Sequence, residues 1–235
     1  MATLSNLKYY VVVLVLLSCR SHEIVVDSNK IFQAPQLSDS LAFYFPKALD
    51  HKANRPKYDN FLQNWFSSSL YSLKEPILKD KTSSETLYRF LWLRSFHLPV
   101  CYSIKVFNNE LYLNTKTLDR SPEWFETIRE DIIHDTTVLD TIKADRLAYI
   151  KFNETIKIDE AEWNQFESLL MKSKFWNLSS IDDSDGSTDG SEWILEGYKN
   201  KKYHFVVRHN PHELRECGMF LISLSNLKIP QDEIY

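Results

Sequence analysis

A chain of 235 residues that is 43% hydrophobic and 26% charged has the proportions of an ordinary globular domain, which excludes a disordered solvating tail. Its formal net charge of −4 offers no basic footprint and points away from nucleic acid as a partner. Four glycines in the whole chain leave no G-x-G-x-x-G or P-loop spacing, so dinucleotide-binding and phosphate-loop enzymes are excluded as well.

The chain opens with a short polar stretch carrying Lys8, followed by an unbroken apolar run over residues 9–17. That order is the order of a secretory signal, and the run falls far short of the roughly 20 apolar residues a membrane-crossing helix needs. Directly after it stands Leu16-Leu17-Ser18-Cys19, which resembles the lipobox of bacterial lipoproteins. The resemblance implies cleavage before Cys19 and acylation of its thiol, with several acyl chains holding the protein to a membrane at about 0.8 kcal/mol per buried methylene. The expected organisation is a signal peptide over residues 1–18, the lipidated Cys19 with a polar tether through residue 40, and one globular α+β domain over 41–235. The expected location is the cell envelope, reached by export.

Along the domain, Phe61, Leu62, Trp65, Phe66, Leu70 and Leu73 recur at helical spacing from Asp59, and Pro76 ends the pattern. Residues 87–94 read as a strand. Val100, Tyr102, Ile104 and Val106 alternate with Cys101, Ser103 and Lys105, and Asn108-Asn109 then turns the chain into Leu111 and Leu113. Asparagine tolerates positive φ, so a two-residue type I′ turn is expected, with Val106 opposite Leu111 and Ile104 opposite Leu113. That register puts Cys101 on the more polar face. Ser121 and Pro122 predict a helix start with Trp124, Phe125, Ile128 and Ile132 on its buried side. Asp159 and Glu162 form a capping box for a helix that buries Trp163, Phe166, Leu169 and Leu170, and residues 137–158 hold a strand or two before it. A polar loop over 182–191, a strand over 192–198, a return strand over 203–209 and a final helix carrying Leu214, Cys217, Phe220, Leu221 and Leu224 complete the chain. The fold class is therefore α+β, a mainly antiparallel sheet built from hairpins, with three or four helices covering one face.

Tyr88-Arg89-Phe90-Leu91-Trp92-Leu93-Arg94-Ser95-Phe96-His97, then Asp189-Gly190-Ser191-Glu192-Trp193-Ile194-Leu195-Glu196, Tyr203-His204, and Arg208 three residues before Pro211 together resemble an uncharacterised family of bacterial envelope proteins. That family's pattern is DG-x-x-W-x-L-E followed by Y-H and R-x-x-P. The likeness spans roughly residues 88–224 and brings no known activity with it. Between Arg208 and Pro211 this chain carries His209-Asn210, where the family pattern has Trp-Ser.

Three constellations carry chemistry. Asp185, Ser187, Asp189, Gly190 and Glu196 fall at EF-hand positions, but the eighth position is the charged Glu192 and a strand follows. No cofactor is therefore expected, and a nonclassical calcium loop through Asp183, Asp185 and Asp189 is the remaining metal option. A three-residue loop at 199–201 would set Glu192 opposite Arg208 and Glu196 opposite His204, gathering a polar cluster on one face and an apolar core on the other. In that register Glu196 would raise the pKa of His204. A loop of two or four residues would instead pair Trp193 with Arg208 and Glu196 with Phe205. Cys101 and Cys217 could pair in an oxidising exterior if the fold brings them together, although Cys217 sits on an apolar helical stripe and reads as a buried thiol.

No H-E-x-x-H, C-x-x-C or G-x-S-x-G is present. The expected role is a noncatalytic binding or assembly module at the membrane surface, with an envelope protein or glycan as partner. An envelope hydrolase using Glu196, His204 and Arg208, and a calcium-assisted glycan-binding protein, are the alternatives. Replacing Cys19 by Ala is expected to abolish lipid attachment and release the protein from the membrane fraction. Mass spectrometry of the mature N-terminus checks this, and an unmodified terminus elsewhere refutes the lipoprotein reading.

Overall fold

The computed structural model describes residues 31–32, 44–46, 56–122, 148–181, 190–209 and 211–235, with side chains of the first helix described from Gln63 onward. Cys19 and the tether, the helix expected after Ser121-Pro122, and the loop carrying Asp183, Asp185 and Asp189 lie outside the described residues.

The described elements are α1 (Pro56–Ser72), β1 (Leu87–Arg94), β2 (Val100–Phe107), β3 (Glu110–Leu118), β4 (Ile150–Ile158), α2 (Glu160–Lys172), β5 (Ser191–Lys199), β6 (Lys202–Arg208) and α3 (Arg215–Leu224). All six strands join one antiparallel sheet in the order β4-β3-β2-β1-β5-β6. This is the α+β architecture expected. The helices, however, do not share one face.

On one side of the sheet, Tyr88, Phe90, Trp92, Tyr102, Trp193 and Leu195 pack against Phe166 and Leu170 of α2 and Cys217 and Leu221 of α3. On the other, Leu91, Leu93, Cys101, Ile194 and Phe205 pack against Phe66 and Leu70 of α1 and against Tyr44 and Phe45. A strand covered on both faces has no polar side, so β1 is buried at every one of its eight positions. The same covering buries Cys101, which the sequence places on a polar face, to 1% exposure. Cys101 and Cys217 belong to opposite cores and both are free thiols, so no disulfide joins them.

Local signals set several boundaries. Asp159 caps α2 with its carboxylate accepting from the Glu162 N–H while Glu162 reaches back to the Asp159 N–H, the reciprocal box read from sequence. Asn108 and Asn109 turn the β2–β3 hairpin with φ of 51° and 62°, and the pairs Val106–Leu111 and Ile104–Leu113 form as expected. The β5–β6 hairpin uses the same device at Asn200 and Lys201, with φ of 54° and 61°. Its closing pair is Lys199–Lys202, which sets Trp193 opposite Arg208, Glu196 opposite Phe205 and Gly197 opposite His204. The expected three-residue loop is therefore corrected to two residues, and every side chain of β6 moves to the other face relative to β5.

α3 crosses the sheet at Gly218 because nothing larger fits there. A Cβ at that position would sit 2.3 Å from a ring carbon of Trp193 and 2.9 Å from one of Phe90. Gly218→Ala is accordingly expected to destabilise the fold by about 1–3 kcal/mol through overpacking. Urea denaturation measures it, and a variant as stable as the parent would show that α3 can shift freely on the sheet.

Candidate functional site

Two groups of polar residues stand out once the register is known, and they differ in kind. The first is buried. On the α1 face a row of directly paired positions runs across the sheet through Glu196, Arg89, Ser103, Asn114 and Thr155. Arg89 donates to Glu196 from Nε at 2.7 Å and to the Pro76 carbonyl from Nη1 at 2.7 Å. Its Nη1 also lies 3.6 Å from Glu75. Glu75 in turn accepts from Lys116 at 2.7 Å and Ser103 at 2.8 Å, while Tyr203 donates to the second oxygen of Glu196 at 2.9 Å.

Two carboxylates and two cations thus neutralise one another with essentially no exposure. Burial opposes the charge on both acids. For Glu75 the combined pull of Lys116 and Arg89 wins and holds its carboxyl below the usual range; for Glu196 burial prevails and pushes the pKa up. Such a closed network excludes substrate and reads as structural.

The predicted cluster of Glu192, Glu196, His204 and Arg208 does not assemble. Glu192 and Glu196 face the α1 side, whereas His204 and Arg208 share the opposite side with Trp193 and Gly197. Arg208 reaches Glu213 and the Ser179 carbonyl, and Glu192 pairs with His209 at 3.0 Å. His204 lies against the rings of Phe175 and Trp176. Its pKa is lowered by burial, where pairing with Glu196 would have raised it. The two-residue turn causes all of these differences. Among the described residues no group of three or more His, Cys, Asp or Glu is placed to hold a metal ion.

The second group opens to solvent. On the α2/α3 face, paired positions Trp193, Trp92, Val100, Thr117 and Phe152 form another row across the sheet. Val100, Thr117 and Phe152 floor a pocket of about 670 Å³. Its walls come from residues 95–98, from Lys151 and Ser121, and from Leu227, Ile229 and Glu233. Arg94 also lines it, with a side chain 3% exposed.

That guanidinium lies over the Trp92 ring at 4.3 Å and donates to the Glu233 carboxylate at 3.0 Å. The Glu233 carboxylate is 3.6 Å from His97 Nε2, and His97 Nδ1 meets the Tyr235 hydroxyl at 2.9 Å. The Arg94 Nε and the Trp92 indole N–H are buried without a hydrogen-bond partner among the described residues. Half-buried Leu227 and Ile229 and the highly exposed Phe96, at 77%, supply apolar surface. Arg94 and Lys151 outnumber the single carboxylate of Glu233 around this pocket, which favours an anion, and the apolar walls favour a ligand carrying hydrocarbon.

Sequence reasoning did not single out Arg94 or Arg89 as functional or structural centres. A signal was present, because an arginine inside a strand whose neighbours are apolar on both faces must have a buried anion or a cavity beside it. Compared with known families, curated proteins and solved structures, the chain matches none.

Removing Arg89 leaves Glu196 and part of Glu75 buried without compensation, so Arg89→Met is expected to cost about 3–5 kcal/mol at neutral pH. Glu75 is held in its charged form and contributes stability above its unfolded pKa, lost as pH falls through the lower folded value. Glu196, pushed up, contributes in the opposite direction. Glu75→Gln should therefore destabilise more than Glu196→Gln at pH 7. Urea denaturation of the three variants tests the set; an Arg89→Met cost under about 1 kcal/mol would contradict it.

Proposed function

We propose that this chain is a noncatalytic binding module of the bacterial cell envelope, held to the membrane through lipid on Cys19, whose pocket at Arg94 takes an anionic ligand with an apolar body. The envelope address is supported by the signal-like opening and the lipobox-like Leu16-Leu17-Ser18-Cys19. No helix among the described residues is long and apolar enough to cross a membrane.

The observation that carries the binding role is the Arg94 pocket itself. About 670 Å³ lies within the span of small-ligand sites. A guanidinium withdrawn from bulk water attracts a carboxylate or phosphate more strongly than an exposed one, because screening is weaker there. Val100, Phe152, Leu227 and Ile229 then remove hydrocarbon from water at about 25 cal/mol per Å². Glu196, His204 and Arg208 point to different faces of the sheet, so they offer no converging acid, base and electrophile for a hydrolase.

Trp92 lies under Arg94 and Trp193 packs against Trp92, which makes tryptophan emission a local reporter. Hexanoate is expected to change that emission saturably, with an effect that weakens as salt rises, whereas hexanol at equal concentration is not. Arg94→Gln should remove the hexanoate response. Equal responses to the acid and the alcohol, or an unaltered response in Arg94→Gln, would reject the anion site.

A further inference from the structure

Arg94 already pairs with a carboxylate from the protein's own chain, that of Glu233. Residues 231–233 form a single 3₁₀ turn, and Glu233 at its end lines the pocket. Three groups of residues 233–235 meet three different receptors. The Glu233 carboxylate sits on Arg94, with His97 beside it. The Tyr235 hydroxyl meets His97 Nδ1 at 2.9 Å. The Tyr235 main-chain oxygen accepts from the Trp193 indole at 3.2 Å and also from the Ser191 hydroxyl. Ile234 packs on the aromatic core between them.

The contacts are specific in type but shallow in burial. Glu233, Ile234 and Tyr235 are only partly buried, whereas Gln231 and Asp232 are exposed. The Glu233 side chain keeps 31% of its surface in water against 3% for Arg94. Arg94, Ser191 and Trp193 belong to the sheet and His97 to the turn that follows β1, whereas the segment on them has one 3₁₀ turn of its own.

Resting on the anion-site reading above, we infer that the Arg94 pocket recognises an acidic peptide segment carrying a glutamate and, two residues later, a tyrosine, and that residues 233–235 are the resident copy which such a partner displaces. Arg94 reads the carboxylate, His97 the phenol, and the Trp193 and Ser191 donors the backbone. While the resident copy is in place, the partner's apparent affinity is reduced by the fraction of molecules in which the pocket is open.

The test uses the full mature chain and an acetylated Asp-Glu-Ile-Tyr peptide with a free carboxylate on its tyrosine and carrying a fluorophore, read by fluorescence anisotropy. Glu233→Gln removes the resident carboxylate at a partly buried position and leaves Arg94, His97, Ser191 and Trp193 unchanged. The peptide is expected to bind Glu233→Gln about fivefold or more tightly than the parent chain. Changing the peptide glutamate to glutamine should erase that gain, and His97→Ala should weaken binding of the tyrosine peptide but not of a phenylalanine analogue. Equal peptide affinity for parent and Glu233→Gln, or indifference to the peptide's glutamate, overturns the inference. If the peptide fails while hexanoate still perturbs the tryptophans of the parent chain, the anion site stands and peptide recognition alone is refuted; failure of both removes the binding role too.

Discussion

The ion pair between Arg89 and Glu196 is the contact on which the arrangement of the sheet depends. It joins β1 to β5 at directly opposed positions in the centre of the sheet, where neither group has any exposure. A lone charge there would cost several kcal/mol, so each partner requires the other. Through Glu75 the same guanidinium is tied to Lys116 on β3 and Ser103 on β2. The Pro76 carbonyl, just after α1, accepts its remaining reach. Four strands and the chain leaving α1 therefore meet in one neutral set of charges. Buried polar sets of this sort add less to net stability than to uniqueness, because a slipped strand would leave a charge unpaired.

The two faces of the sheet consequently do different work. The α1 face carries polar groups through its middle and apolar groups around them, and its hydrogen bonds leave little room for a ligand. The α2/α3 face is aromatic, with Phe90 lying 5.0 Å from Trp193 and Trp92 5.4 Å from it. Phe166, Leu170, Cys217 and Leu221 of its helices pack on that face. Arg94, the turn that follows β1, and the segment after α3 line the pocket. An arginine at the end of a strand can be well buried and still reachable, which Arg89 in the strand centre cannot.

Much of the fold is legible in the chain because it rests on local chemistry. The Asp159–Glu162 box, the Asn108-Asn109 turn, the helical stripes and the alternation in β2 and β3 all express preferences that neighbouring residues decide among themselves. The β5–β6 register is not legible in this way, because a pattern of polar and apolar residues fixes pairing only where one face is wet. In a sheet covered on both sides a glutamate need not point outward if a cation waits inside, and Arg89 lies 107 positions away in sequence from Glu196. No local pattern can announce that pairing.

By itself, then, the sequence determined the α+β class, the positions of most strands and helices, the capping and turn devices, and a slightly acidic balance of charge, since each follows from composition or from interactions within a few residues. Tertiary structure alone decided that helices cover both faces, that Cys101 and Cys217 lie in separate cores, that Glu196 meets Arg89 instead of His204, and that Arg94 shares a pocket with Glu233. Those outcomes depend on contacts between residues far apart in the chain, whose energies exist only once the sheet has brought them together.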